Sequence, residues 1–483
     1  MGTLMGKILL QGTLMLTSNL TAVLCVVVVI LLALRGRERG TPQGPSFQRP
    51  PGPTPWPLVG NLLQMGAQMH LSLTGLRAEY GDVFRMKMGS LEVVVLSGYG
   101  TIRKALVRQG ESFSGRPQLF SFSAVGNGTS MTFSEKYGEA WVCHKRLCRN
   151  ALRSFSQTEA RDSSCSCLLE EHVRAEALRV VGALRGRGEG TDPAVPLVTS
   201  VANVVCALCF GKRYEHDDKE FLSIVQINNE VQRLFASGNL ADFFPVFRYL
   251  PSPSLRKLLQ FIHRMNSFIE KNIQEHLTTF DKSCIRDTLI TLSEDRQEDG
   301  QTSMLSNTQI VHTVNDIFGG GFDTIIAGLQ WSLLYLIKFP DIQAKINQEM
   351  DEKIGPDRLP STTDNSVLNG YFIPKDTCIF INQYQVNHDT DLWGDPGSFR
   401  PERFLDSSGH LNKDLTEKVM IFGMGKRRCI GDNFARLEMF IFLTTLLHHL
   451  QIENVPGQEL DLTTEFGLTM KPKPYKIAVL PRR

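Results

Sequence analysis

Charge of neither sign is in excess in this 483-residue sequence. Its 52 lysines and arginines stand against 50 aspartates and glutamates, for a net charge of +2. That balance gives no basic footprint for nucleic acid. Clustered cysteines are missing too. The ten cysteines are scattered at positions 25, 143, 148, 165, 167, 206, 209, 284, 378 and 429. This is no disulfide framework and fits a reducing compartment. Cys206 and Cys209 have redox or zinc spacing, but they lie in the apolar run VANVVCALCF with no second pair nearby, so they read as core. No internal repeat is present. Apolar residues, by contrast, make up 42% of the chain, ample for a large core. The length suits several domains or one large helical enzyme.

The N-terminus carries the run LTAVLCVVVVILLAL (20–34), and reading back to Thr13 gives a stretch long enough to span a bilayer. Arg35, Arg37 and Arg39 follow it, against a single Lys7 before it. The positive-inside rule then keeps the C-terminal bulk cytosolic. A secretory leader would need a small-x-small cleavage site after the run, and none is clear, so an uncleaved anchor is expected. Asn19-Leu-Thr21 has the form of a glycosylation acceptor but falls in or against the membrane. Residues 1–39 thus read as anchor and basic flank, and 40–61, with seven prolines between 42 and 61, as a stiff hinge. Residues 62–483 read as the catalytic domain.

Within that domain, VFRMKMGSLEVVVLSG (83–98) reads as a β-hairpin turning at Gly89-Ser90. Most of 100–350 has helical periodicity, broken at 185–193, 243–254 and 293–303. TCIFINQYQ (377–385) reads as a strand and FARLEMFIFLTTLLHHL (434–450) as a buried helix. The class is mainly α with a small β-sheet region.

Chemistry concentrates in FGMGKRRCIGD (422–432). A cysteine between arginines at a helix start is expected to have a lowered pKa. Gly425 and Gly431 let backbone N–H groups approach the sulfur, Phe422 offers an aromatic wall, and Arg427 can pair with an anionic group such as a haem propionate. The plain alternative is a structural or reactive thiol in a basic turn. The spacing decides between them. Phe422, Gly425, Arg427, Cys429 and Gly431 fill Phe-x-x-Gly-x-Arg-x-Cys-x-Gly, which resembles the haem-binding signature of the cytochromes P-450.

The resemblance runs from the hinge to the C-terminus and includes Phe399–Phe404 (FRPERF). It implies the cytochrome P-450 fold, haem b held through the Cys429 thiolate, and electrons drawn from NADPH through a reductase. VNDIFGGGFDTIIAGLQW (314–331) has three consecutive glycines in a helical pattern, a cost that a groove against a ligand would offset. Asp323 and Thr324 beside them resemble the family's acid–alcohol pair, which relays protons during oxygen activation. Trp141 and Lys145 resemble its propionate-binding tryptophan and basic residue, with lysine where arginine is usual. Lys145, Arg146, Lys426 and Arg428 fit a basic face for NADPH-cytochrome P-450 reductase, with cytochrome b5 a further candidate partner. The lipid bilayer is the other partner implied, at the endoplasmic reticulum membrane. NHDTDLWGDP, SGNLADFFPVFRYLPSPSL and NGYFIPKDTCIFINQ look most like the vertebrate branch that oxidises aromatic hydrocarbons and steroids. Phe120, Phe122, Phe133, Phe235, Phe243 and Phe244 fall where that branch lines a pocket for a small apolar substrate. A haem-thiolate isomerase or peroxide-driven enzyme is a further alternative, against which Asp323-Thr324 argues.

One family element is absent. A helix with Glu-x-x-Arg belongs between PDIQAKINQEMDEKIG (340–355) and NGYFIP, yet only the thirteen residues 356–368 stand there. That interval cannot hold a helix of about 12 residues plus a strand of about 5. The fold therefore reads as internally truncated at 360/361, with Arg403 stripped of its buried partners and haem poorly incorporated. A splice form, a paralogue or a gene-model artefact is the alternative to an active enzyme.

Overall fold

The computed structural model describes residues 49–126, 129–135, 137–162, 165–185, 190–236, 238–250, 252–276, 289, 305–350, 377–465 and 467–482. The expected anchor, most of the hinge, the break at 293–303 and the 360/361 junction lie outside them. Among the described residues no single helix is long and apolar enough to cross a membrane. They fall into two compact units, one drawn from Met1–Ser97 and Asn369–Asn382, the other from Gly98–Leu368 and Gln383–Arg483.

The smaller unit holds α1 (Met69–Tyr80) and a sheet of β1 (Val83–Met88), β2 (Leu91–Leu96) and β3 (Cys378–Ile381) in that order. The hairpin turns at Gly89, whose φ of 59° suits glycine. Phe84, Val93 and Val95 are fully buried. β3 runs parallel to β2 and stops where Ile381 meets Leu96, the last residue of β2. The strand expected over 377–385 is therefore half that length, because its one partner among the described residues ends. Gln383–Asn387 is helical instead.

The larger unit is helical. Its long helices are α2 (Glu139–Phe155), α3 (Leu168–Arg185), α4 (Ala194–Phe210), α5 (Lys219–Ala236), α6 (Pro253–His276), α7 (Asn307–Gly321), α8 (Asp323–Lys338), α9 (Pro340–Glu349) and α10 (Asp432–His449). Strands β4 (Leu450–Asn454) and β7 (Ile477–Pro481) pair antiparallel, as do the short β5 (Thr464–Glu465) and β6 (Lys471–Pro472). The expected breaks at 185–193 and 243–254 fall between α3 and α4 and between α5 and α6.

Helix α4 is buried nearly all round, with Cys206 and Cys209 in its core-facing surface. Burial pushes the Cys206 thiol well above its ordinary pKa, as befits a core residue rather than a metal or redox site. α10 packs on α3 and α8, burying Phe434, Ile441, Phe442 and Leu446. α7 starts with a capping box, in which Ser306 and Gln309 satisfy each other's backbone N–H groups. Near the three glycines the long helix is interrupted at Phe322, which separates α7 from α8.

Candidate active site

Cys429 sits just before the N-terminus of α10, in a loop that doubles back so that its N–H donates to Phe422 O at 3.0 Å. The loop is wedged tightly. Gly425 has φ +69°, and a Cβ there would lie 1.8 Å from Leu106 O, so only glycine fits. Leu106 belongs to a single π-helical stretch, Lys104–Arg108. Gly431 lies on the other side of the sulfur, where an added Cβ would stand 4.0 Å from Cys429 Sγ. Phe422 is capped by the Arg436 guanidinium, 4.8 Å from its ring centroid.

Two cations brace the loop. Lys145, on the buried stripe of α2 with Trp141, Cys148 and Leu152, donates to Lys426 O at 2.6 Å and Arg428 O at 2.7 Å. Arg427 donates to Ser114 O, Met131 O and Ser134 O at 2.8–3.0 Å. Its guanidinium also stacks 3.9 Å from the Trp141 ring centroid. Trp141 Nε1 donates to the same Met131 carbonyl at 2.9 Å. The indole has a single N–H and Met131 takes it, so Trp141 serves as the platform for Arg427 rather than as a donor to an anion. Lys145 retains one N–H and Arg427 two beyond those bonds.

Arg116, unremarked in the sequence, completes the cluster. Its Nε donates to Thr132 O at 3.1 Å, and it repels both Lys145 and Arg427. Desolvation, reinforced by this mutual repulsion, lowers Lys145 to about 8 and Arg427 to about 10. Among the described residues no carboxylate pairs with any of the three. Such a set fits an anionic group with more than one negative charge, as a haem with two propionates is.

The thiol itself corrects an expectation. Cys429 is open to solvent on one side, yet the protein packed around the rest of it raises its pKa. Lowering by the Gly431 N–H, Lys145 and Arg428 does not outweigh that desolvation, and Asp432 adds to the rise. The helix start and the basic neighbours alone do not produce a thiolate in the haem-free chain; an electrophilic metal would.

Asp323 and Thr324 form a second cluster, at the start of α8. Thr324 Oγ1 donates to Gly320 O at 3.0 Å. Both residues are exposed, one turn apart, and a Cβ on Gly320 would meet nothing within 4 Å. Gly321, by contrast, packs against Val205 of α4, where an added Cβ would stand 3.3 Å away. The triple glycine therefore serves helix packing at one position and leaves open space at the next. Asp323 is fully buried and ion-paired with Lys471 of β6, while its Oδ2 has no partner among the described residues.

Phe122, Phe133 and Phe235 come together, with centroid separations of 5.0 Å and 5.9 Å, the second pair stacked. All three are half-buried. That distinguishes them from core aromatics such as Phe221, Phe318 and Phe322 at 0% exposure. Phe120 lies instead beneath Arg248, and Phe244 packs on Phe247.

Arg403 overturns the expectation that it is stranded. Its guanidinium donates to the carbonyls of Trp393, Asp395, Ser398 and Arg400 at 2.7–3.3 Å and pairs with Asp395 Oδ1 at 3.1 Å. All these partners lie within ten residues, so the meander satisfies its own arginine. Arg116, Leu106 and Lys471 carry no family signature and their roles depend on distant contacts. Only the arginine of SGRPQ, as an uncompensated cation, was open to notice.

A family model described as cytochrome P450 matches residues 50–366 and 361–479. Cytochrome P450 1A1 of Sparus aurata is 44% identical over 503 aligned positions, covering 96% of each chain. That of Felis catus is 44% identical over 487 positions, covering 93% of each. In the first case 96% of 483 residues is about 464, which leaves about 39 of the 503 positions without a counterpart in this chain. The two stretches of the family match meet at 361–366.

Proposed function

The chain belongs to the cytochrome P450 family of haem-thiolate monooxygenases, which draw electrons from NADPH through a redox partner. On that premise we propose that it oxidises flat apolar substrates, aromatic hydrocarbons, steroids or fatty-acid-like molecules, at the cytosolic face of the endoplasmic reticulum membrane. Residues 13–34 would anchor it. NADPH-cytochrome P-450 reductase would supply the electrons, with cytochrome b5 as a second donor. One oxygen atom of dioxygen enters the substrate and the other leaves as water, with two electrons and two protons consumed. The bound haem supplies the iron at which dioxygen is reduced.

The chain's own residues do the rest. Cys429 would hold the iron, with the Gly431 backbone N–H hydrogen-bonding its sulfur. Lys145, Arg427 and Arg116 would hold the propionates, and Trp141 fixes Arg427 by stacking. Phe422 and Gly425 shape the loop that presents the thiol. The exposed Thr324 hydroxyl and the buried Asp323 carboxylate would pass protons toward dioxygen. The half-buried stack of Phe122, Phe133 and Phe235 supports a planar substrate. One observation carries the reading: near an open thiol stand Lys145 and, clustered with it, Arg427 and Arg116, which no carboxylate among the described residues neutralises.

The test is the ferrous carbon-monoxide spectrum of the expressed chain. A Soret band at the thiolate position is expected, and Cys429→Ser should abolish it. A wild-type chain with no haem, or with only an imidazole-like band, sinks the catalytic reading.

A second reading has specific support in the two-stretch family match and the roughly 39 missing positions. It is a haem-poor splice form, paralogue or gene-model artefact that lacks the bracing helix. The same spectrum separates the two, and sequencing the transcript across the codons for Pro360 and Ser361 decides whether the short form is made.

A further inference from the structure

Lys471 lies far from the cysteine signature, on a two-residue strand near the C-terminus, yet its ammonium reaches the buried Asp323 carboxylate. The same Nζ donates to Asn229 Oδ1 of α5 at 2.9 Å. Its strand partner is held as well. Glu465, directly across β5–β6 from Lys471, pairs with Arg233 of α5 at 2.6 Å. Asn229 and Arg233 are one turn apart, so one face of α5 grips both strands of the hairpin. Trp331 Nε1, donating to Met470 O at 3.0 Å, ties the hairpin to α8, the helix that carries Asp323. Two residues past Arg233, Phe235 stacks on Phe133 in the aromatic cluster.

We propose that Lys471 is a positioning residue that holds the Asp323 carboxylate in one orientation and, through Asn229, makes that orientation depend on where α5 lies. The inference rests on the monooxygenase reading above only for what Asp323 then does. Three observations carry it. Asp323 is fully buried and its other oxygen, Oδ2, has no partner among the described residues, so the bond to Lys471 fixes which oxygen is left available. The ammonium is shared between two helices rather than dedicated to one. The helix at its far end bears an aromatic ring of the proposed substrate pocket. A planar molecule entering the Phe122–Phe133–Phe235 cluster therefore pushes on the helix that also holds the lysine. Coupling through such a chain of contacts requires a direct energetic test.

The test is a set of urea-unfolding cycles on the full chain. Asp323→Asn and Lys471→Met should be coupled about tenfold or more in the unfolding equilibrium constant. Lys471→Arg should keep most of that coupling. Asn229→Ala and Asp323→Asn should show a smaller coupling of about threefold, which disappears in the Lys471→Met background. Additive single changes, within about twofold, overturn the proposal. In haem-loaded chain, Lys471→Met should raise the hydrogen peroxide released per NADPH consumed about fivefold, with Lys471→Arg restoring it. An unchanged ratio with the coupling intact would reduce Lys471 to packing and overturn its positioning role. Should the wild-type chain take up no haem, the monooxygenase reading fails while the unfolding cycles still decide whether Lys471 couples Asn229 to Asp323.

Discussion

Two arginines, one upstream of the cysteine loop and one within it, are treated oppositely by the chain. Arg403, in the meander, is surrounded by carbonyls and an aspartate from residues 393–400. Arg427, inside the signature, reaches carbonyls some three hundred residues upstream and shares its neighbourhood with two further cations. The first is electrostatically complete in the protein alone. The second is not, and its surplus charge is an opening for an anion. The residue most exposed to doubt by the shortened sequence is thus the better satisfied of the two. A positively charged group can find local carbonyl partners when a distant carboxylate is missing, because the dipoles of a tight meander are always at hand.

Truncating Arg403 gives the sharpest contrast. Arg403→Ala should cost about 2 kcal/mol in urea unfolding of the haem-free chain, because the half-buried carbonyls of Trp393 and Asp395 lose their donor. A loss below about 1 kcal/mol would erase the claim of local completeness. The cationic side makes the opposite kind of prediction. Lys145 is pushed down to about 8, so below that pH it is charged in both folded and unfolded states and the fold bears the cost. Between pH 8 and its ordinary 10.5 the folded state releases the proton first, and stability from this group rises with pH. The gain should be about 1–3 kcal/mol, measured as the difference in slope between wild type and Lys145→Met, since the Cys429 thiol titrates with opposite sign. Added haem should flatten the rise. The smallest effect belongs to Glu402, the acidic residue of the meander motif. Its pair with Lys345, at 2.7 Å between exposed side chains, should change stability by less than about 0.5 kcal/mol on Glu402→Gln. A larger loss would mean that the whole motif, and not Arg403 alone, braces the fold.

Much of this was legible in the sequence, and the particular residues show why. The hairpin at Gly89, the breaks before α4 and before α6, and helix α10 follow from periodicity and turn chemistry, which are local. The cost of the triple glycine was legible too, but the interruption at Phe322 was not, since 314–331 reads as one helical pattern. The five signature positions were readable because they lie within ten residues. What the sequence concealed was the direction of the Cys429 shift, which depends on how many atoms pack around the sulfur rather than on its neighbours in the chain. It also concealed Arg403's local partners, and the strand that stops at Ile381 because β2 stops at Leu96. Lys471 was invisible for the same reason. Nothing in MKPKPY marks a lysine that will meet Asp323 across 148 residues.

The bonds that hold the cysteine loop also set a timetable. Lys145 and its acceptor Lys426 are 281 residues apart, so at a synthesis rate of roughly 5–20 residues per second helix α2 waits about 15–60 s for its partner to be made. Throughout that interval a lysine destined for the interior has no carbonyl to accept it. The thiol emerges only after Ser114, Met131, Ser134 and Lys145, the upstream residues bonded to its loop, have been translated. Whatever binds there can be loaded only once Cys429 has been made, and a ribosome that stalls before it leaves a nascent chain with cationic walls and no thiol between them.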